Sequence, residues 1–152
     1  MRAAARKFPV AGALALTLVT ALPAASAEEG PPDCETTDMP LEQIFCAQVE
    51  AQVADIILDN LMPKMVEQAR ERDKKLADLF KSLGSQTTVD LLEESQFAWR
   101  AYRDTRCKYD GYAVFGGTNQ PLIENRCRAR LTNERVKALE ARLRGELPEG
   151  VE

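Results

Sequence analysis

The sequence predicts an all-α protein, a small antiparallel bundle of three to four helices stapled by two disulfides. Apolar residues recur at spacings of three and four over most of residues 41–143, as they do on amphipathic helices. Strand-like alternation of apolar and polar residues never lasts for more than a few residues. The chain also holds four cysteines, an even number, behind an N-terminus typical of exported proteins.

Residues 1–27 read as a secretory signal peptide. Basic residues come first, an apolar run follows, and Ala25-Ser26-Ala27 fits the small-x-small cleavage rule. The alternative is an uncleaved membrane anchor, but the run is about 15 residues long and contains Pro9, whereas a span needs about 20 apolar residues. We therefore expect an exported protein, periplasmic or secreted, with no membrane span after cleavage.

The charge and the residue types limit the function. Residues 28–152 keep all 24 acidic residues and all but three of the 20 basic ones, which leaves a net charge of −7. An acidic surface argues against a nucleic-acid partner, favours solubility, and speeds encounter with a basic protein. The chain has no histidine, so Ser-His and Cys-His catalytic systems are excluded, and we predict no catalytic residue. We expect no metal and no cofactor, because zinc sites usually combine Cys-x-x-Cys pairs with histidine.

The four cysteines can pair in three ways. Proximity in sequence favours Cys34 with Cys46 and Cys107 with Cys127, because each pair closes a short loop around a turn-rich segment. Each such disulfide contributes roughly 3 kcal/mol in the chain-entropy model.

The first half of the chain predicts an extended lead and then a long helix. Residues 28–40 are rich in proline, glycine and acids, and the helical domain is expected to cover residues 41–145. Its first helix should bury an apolar set at helical spacing: Leu41, Ile44, Phe45, Val49, Val53, Ile56 and Ile57. The same period continues through Leu61, Met65, Ala69, Leu76, Leu79, Phe80 and Leu83. Because Pro63 removes a helical hydrogen bond, we expect a kink or short break near Asn60 to Met62.

A second helix is predicted from about Thr88 to Gly111. Gly84 stops the preceding helix, and Thr87 with Asp90 three residues later forms a capping signal. One side of this helix should pack in the core through residues three and four apart: Ser95, Trp99, Tyr102, Arg106 and Tyr109. Asp104 lies within helical reach of Arg100 and Lys108, so we expect it to form an ion pair.

The last part of the chain predicts a loop and a final helix. The helical period is interrupted by Gly116-Gly117-Thr118-Asn119. The two glycines lack the neighbouring residues of a phosphate-binding loop, so we expect them to form a turn with positive φ. The final helix should run from about Pro121 to Arg144 and is followed by a frayed tail at residues 146–152. Its apolar stripe is expected at Ile123, Cys127, Leu131, Leu139 and Leu143. Thr132 can bond to the preceding turn and dent it.

The second half of the chain resembles a known family. The pattern is Gln96-x-x-Trp99-x-x-Tyr102-Arg103-Asp104-x-x-Cys107, then Gly116-Gly117, Cys127 and Leu131-Thr132-x-x-Arg135-x-x-x-Leu139. It is similar to the N-terminal-like domain family of the lysozyme inhibitor LprI. Most of these residues are expected to be structural: Gln96, Trp99, Tyr102, Asp104, Thr132, Arg135 and Leu139. Arg103 and Arg135 are placed to bond helix ends or to line a pocket.

The resemblance implies an exported envelope protein that blocks a lysozyme-type muramidase by protein–protein contact. The alternative is an accessory or structural module that recognises peptidoglycan or another envelope protein without inhibiting anything. The expected contact residues are polar and cluster around the predicted loop: Arg103, Asp110, Gly116, Gly117, Thr118, Asn119 and Glu124.

Overall fold

A computed structural model describes residues 30–146 as a bundle of three α-helices. These are α1 (Pro40–Leu83), α2 (Thr88–Gly111) and α3 (Gln120–Leu143), with one 3₁₀ turn (Tyr112–Val114) between α2 and α3. This range contains no strand, and the all-α prediction is confirmed. The predicted signal peptide lies outside the described residues, as does the predicted tail beyond Glu146. None of the described helices is long and apolar enough to cross a membrane.

Helix α1 runs through Pro63 without a break. It is 44 residues long, so the interruption near Asn60 to Met62 does not occur. A proline removes only one backbone hydrogen bond. On both sides of it, α1 is held by burial: Leu58, Leu61 and Met65 form the core cluster with Val136 and Leu139 of α3.

The buried face of the first half of α1 is not the one expected, whereas Leu61, Met65 and Ala69 in its second half are buried as predicted. The buried residues of α1 begin with alanines and continue with larger side chains: Ala47, Ala51, Ala54, Leu58, Leu61, Met65 and Ala69. The larger apolar residues predicted to form the core lie on the opposite side and are exposed: Leu41, Phe45, Val49, Val53, Ile56 and Ile57. We call this set the α1 apolar face. Both sets recur at helical spacing, and the alanines face the core because small side chains let helices pack closely.

The turn between α1 and α2 follows the predicted signals. Gly84 ends α1 with φ 60°, and Thr87 and Asp90 form a reciprocal capping box at the start of α2. An unpredicted third group, the carboxylate of Asp73 in α1, accepts hydrogen bonds from the backbone N–H groups of Thr88 (2.8 Å) and Val89 (3.0 Å). One helix therefore caps the next, and this fixes the angle at which α2 leaves the turn.

We expect replacement of Asp73 by asparagine to destabilise the protein near neutral pH but not in acid. Burial acts to raise the pKa of Asp73, but the hydrogen bonds from Thr88 and Val89 outweigh it, so the pKa is lowered. A carboxylate with a lowered pKa stabilises the fold above its unfolded-state pKa, and this contribution is lost as pH falls below about 3.9. Urea denaturation at several pH values should show the two proteins converging in acid; a constant difference would contradict this role.

Both disulfides join the predicted partners. Cys34 and Cys46 lie 5.6 Å apart at Cα and tie the lead to the start of α1. Cys107 and Cys127 lie 5.4 Å apart and join α2 to α3 inside the bundle.

Helices α2 and α3 keep their predicted ranges within a residue. The buried face of α2 differs from the prediction, and that of α3 shares only Cys127 and Leu139 with it. On α2 the buried residues are Gln96, Arg103, Cys107 and Gly111, while Tyr102 and Tyr109 are exposed. On α3 they are Leu122, Cys127, Ala129, Thr132, Val136 and Leu139. Thr132 is completely buried, and α3 continues through it.

Candidate functional site

Arg103 connects all three helices inside the bundle. Its side chain is only 6% exposed, and its guanidinium pairs with the carboxylate of Asp55 on α1. Nη1 also donates to the Thr132 hydroxyl on α3 at 2.9 Å, and Nε donates to Asp104 at 3.0 Å. The structure therefore places Arg103 in the interior, apart from the loop with which the sequence analysis grouped it.

The other residues of the motif surround Arg103. The ring of Trp99, which is partly buried, has the guanidinium carbons of Arg103 and Arg135 at 5.2 and 5.7 Å from its centroid. Arg135 in turn donates from Nε to the side-chain oxygen of the buried Gln96 at 3.2 Å. Arg103 is thus paired with carboxylates and lies over the Trp99 ring. Arg135 has the ring and one hydrogen bond to Gln96, but no carboxylate within 4.0 Å among the described residues.

The segment Tyr112–Asn119, which we call the α2–α3 loop, is held in one conformation by several short-range contacts. The Cys107–Cys127 disulfide closes its base. Gly116 has φ 76°, as predicted, and its N–H donates to the side chain of Gln120 at 3.2 Å. Gly117 donates to the Val114 carbonyl at 2.8 Å. Such a loop has little conformational freedom left to lose when it binds.

The predicted contact residues at this end of the bundle differ in exposure. Thr118 and Asn119 are exposed at the tip of the loop. Asp110 is half-buried and paired with Arg106. Glu124 is half-buried against Gly111, where an added Cβ would lie 2.5 Å from its Cγ, and its carboxylate accepts from Gln120 at 2.9 Å. Glu124 therefore contacts Gly111 and Gln120, the two residues that flank the loop.

Exposed aromatic side chains lie in and beside the loop. The sequence analysis did not list them as contact residues, and it placed Tyr109 in the core. Tyr109, Tyr112 and Phe115 all lie on the surface, and the rings of Tyr112 and Phe115 meet at 4.8 Å between centroids. Exposed aromatics are favoured as anchors in protein–protein interfaces. The signal was present in the sequence, since all three lie between two paired cysteines and close to the Gly116-Gly117 pair.

This end of the bundle presents the α2–α3 loop and exposed aromatic side chains to solvent. Among residues 30–146, no three His, Cys, Asp or Glu side chains are grouped as metal ligands would be. The fold and this surface define the class of small helical proteins stapled by disulfides, here with a loop and exposed aromatic side chains at one end.

Comparison with known proteins agrees with this class. The family model described as lysozyme inhibitor LprI matches residues 33–139, so the chain belongs to this family. An uncharacterized protein of Rhizobium meliloti (strain 1021) is 31% identical over 129 residues, which cover 85% of this chain and 91% of the relative. No solved structure matches the chain significantly. The family suggests a lysozyme-inhibitor-like role and a lysozyme-type partner, and together with the disulfides it indicates an exported protein.

Proposed function

We propose that this protein inhibits a lysozyme-type muramidase in the periplasm or outside the cell, with the α2–α3 loop blocking the enzyme's cleft. The observation that carries the proposal is the loop itself. It is pinned at its base by Cys107–Cys127, and it presents Phe115, Thr118 and Asn119 to solvent. A rigid protruding segment enters a cleft at a lower entropic cost than a flexible one.

The charge of the chain supports the same partner. Residues 28–152 carry a net charge of −7, and c-type lysozymes are basic. Because Asp110 is paired and Glu124 is half-buried, the attraction comes from the field of the whole protein more than from these two side chains. A field of this kind raises the association rate.

Alanine substitution of Phe115 is expected to weaken lysozyme inhibition about 30-fold or more, because an aromatic anchor buried in an interface typically contributes about 2 kcal/mol or more. Phe97 provides a matched control, since it is 78% exposed on α2, similar to 72% for Phe115. Inhibition constants should be measured for Phe115→Ala, for Phe97→Ala, and for a double variant with Thr118→Ala and Asn119→Ala. If all of these variants inhibit lysozyme as strongly as the parent protein, the loop is not part of the interface.

The association rate with a c-type lysozyme is expected to fall steeply as salt rises, because exposed charges are screened beyond about 8 Å at physiological ionic strength. Stopped-flow or surface-binding measurements at low and moderate salt would show this. If micromolar protein inhibits neither c-type nor g-type lysozyme, the inhibitor proposal fails.

The α1 apolar face favours a second candidate, an accessory module that binds another envelope protein. Val49, Val53 and Ile56 follow one another on the surface of α1, and a contiguous exposed apolar patch commonly marks an interaction site. Glu50 lies on the same stretch of helix in an acidic chain, so the complementary partner presents apolar side chains beside lysine or arginine.

Variants of the two surfaces separate these candidates. We expect a double variant with Val49→Ser and Ile56→Ser to keep lysozyme inhibition if the loop is the contact. If this variant loses inhibition while Phe115→Ala keeps it, the α1 apolar face is the lysozyme contact. A photo-crosslinker at Val53 should trap one basic envelope protein whose purified form binds the chain but not the double variant. If no such protein is found, the accessory candidate fails.

A further inference from the structure

We propose that the groove between the second half of α1, the first half of α2 and the end of α3 binds a small organic carboxylate with an apolar chain. The groove has a volume of about 560 Å³. Ligand sites in proteins are typically clefts of about 300–1,000 Å³. It lies at the other end of α2 from the α2–α3 loop, because Ser95 and Tyr112 are separated by roughly 25 Å of helix.

The groove combines an apolar lining with a cationic one. The apolar part is contributed by all three helices: Met65, Ala69, Leu91, Leu92 and Leu139. Three arginines from two helices complete the lining: Arg72 of α1, and Arg135 and Arg142 of α3. An apolar surface next to guanidinium groups matches a ligand with an alkyl chain and an anionic end.

These three arginines differ from most others in the described part of the chain. Seven arginines form ion pairs within the bundle or along one helix: Arg70, Arg100, Arg103, Arg106, Arg128, Arg130 and Arg144. Within residues 30–146, Arg72, Arg135 and Arg142 have no carboxylate within 4.0 Å. Glu146 lines the groove but is paired with Arg144. Three of the four arginines without an ion pair among residues 30–146 therefore line one groove, while the net charge of the chain is negative; the fourth, Arg126, lies outside it.

Arg135 is held in position for an anion. Its Nε donates to Gln96, and within the described residues its two terminal nitrogens donate to nothing, so they remain available for a bidentate pair with a carboxylate. Burial and the nearby charge of Arg142 lower the pKa of Arg135. A bound anion would relieve both effects, because it provides the counter-charge that the protein does not.

Octanoate is the probe that tests this site. Trp99 is the only tryptophan in the chain, and its ring centroid lies 5.7 Å from the guanidinium of Arg135. We expect octanoate to change Trp99 fluorescence saturably, and calorimetry should give the same dissociation constant. Octanol, which lacks the charge, and inorganic phosphate, which lacks the chain, should each bind at least about tenfold more weakly.

Variants assign the binding to the groove. Arg142→Gln should weaken octanoate binding about tenfold, the usual effect of losing one charge-assisted hydrogen bond. Arg130→Gln is the matched control, because Arg130 is also exposed on α3 but lies outside the groove, and it should bind octanoate like the parent protein. Leu91→Ser should weaken octanoate and leave phosphate unchanged. Thermal unfolding of each variant checks that the fold is intact.

Four results would overturn the proposal: no saturable response to octanoate, octanol binding as tightly as octanoate, phosphate binding as tightly as octanoate, or equal effects of Arg142→Gln and Arg130→Gln. Because neither octanoate nor these variants involve the α2–α3 loop, the outcome is independent of lysozyme inhibition.

Discussion

Replacement of Arg103 by leucine is expected to lower the free energy of unfolding by about 3 to 5 kcal/mol, the usual cost of removing one partner from a buried charged network. The guanidinium lies among three helices, and its loss leaves the completely buried hydroxyl of Thr132 without its donor. Asp55 also loses its most buried counter-charge. Urea denaturation followed by circular dichroism gives the change directly.

Arg100→Leu is the matched control for Arg103. Arg100 of α2 pairs with Asp59 of α1, the helix that also carries Asp55. The side chain of Arg100 is 33% exposed, and that of Asp59 is 63% exposed. Ion pairs this exposed typically contribute about 0 to 1 kcal/mol. A cost below about 1 kcal/mol for Arg103→Leu would show that the interior cluster is not what stabilises the bundle, since intact buried networks cost more to break.

Removal of the Cys107–Cys127 disulfide by a double alanine substitution is expected to cost about 3 kcal/mol. Both sulfurs are buried between α2 and α3, so the cross-link restricts a segment that unfolds together with the core. The same change frees the base of the α2–α3 loop. We therefore expect weaker lysozyme inhibition even under conditions where the variant remains folded.

The Cys34–Cys46 disulfide provides the comparison. Cys34 is exposed, and the bond ties only the lead to the start of α1. Its removal should release the lead locally, with faster proteolysis before Pro40 and a smaller change in global unfolding. If both double variants lose the same stability and keep full inhibition, the Cys107–Cys127 bond has no special role in presenting the loop.

Short-range features of this protein were predictable from the sequence. The ends of α2, the Thr87–Asp90 capping box, the stop at Gly84 and both disulfide pairings depend on residues close together in the chain. The turn at Gly116 belongs to the same group, because its positive φ depends on the glycine itself. These signals act over a few residues, so one sequence is enough to read them.

The candidate site was predictable only in part. Thr118 and Asn119 are exposed in the loop, as a polar turn segment implies. Arg103 was grouped with them because it was expected to bond a helix end or to line a pocket, but it is buried and paired with Asp55 and Asp104. The contact with Asp55 spans 48 residues of sequence, and no local pattern contains it.

Local patterns in the sequence are enough to identify a disulfide-stapled helical bundle with a turn at Gly116-Gly117. Which face of each helix is buried depends on how the three helices pack, because periodicity identifies a stripe but not its partner. On α1 two apolar stripes compete, and the contact with α3 buries the alanine side and leaves Val49, Val53 and Ile56 in solvent. The groove with Arg72, Arg135 and Arg142 depends on the same packing, since its residues come together only when the three helices assemble.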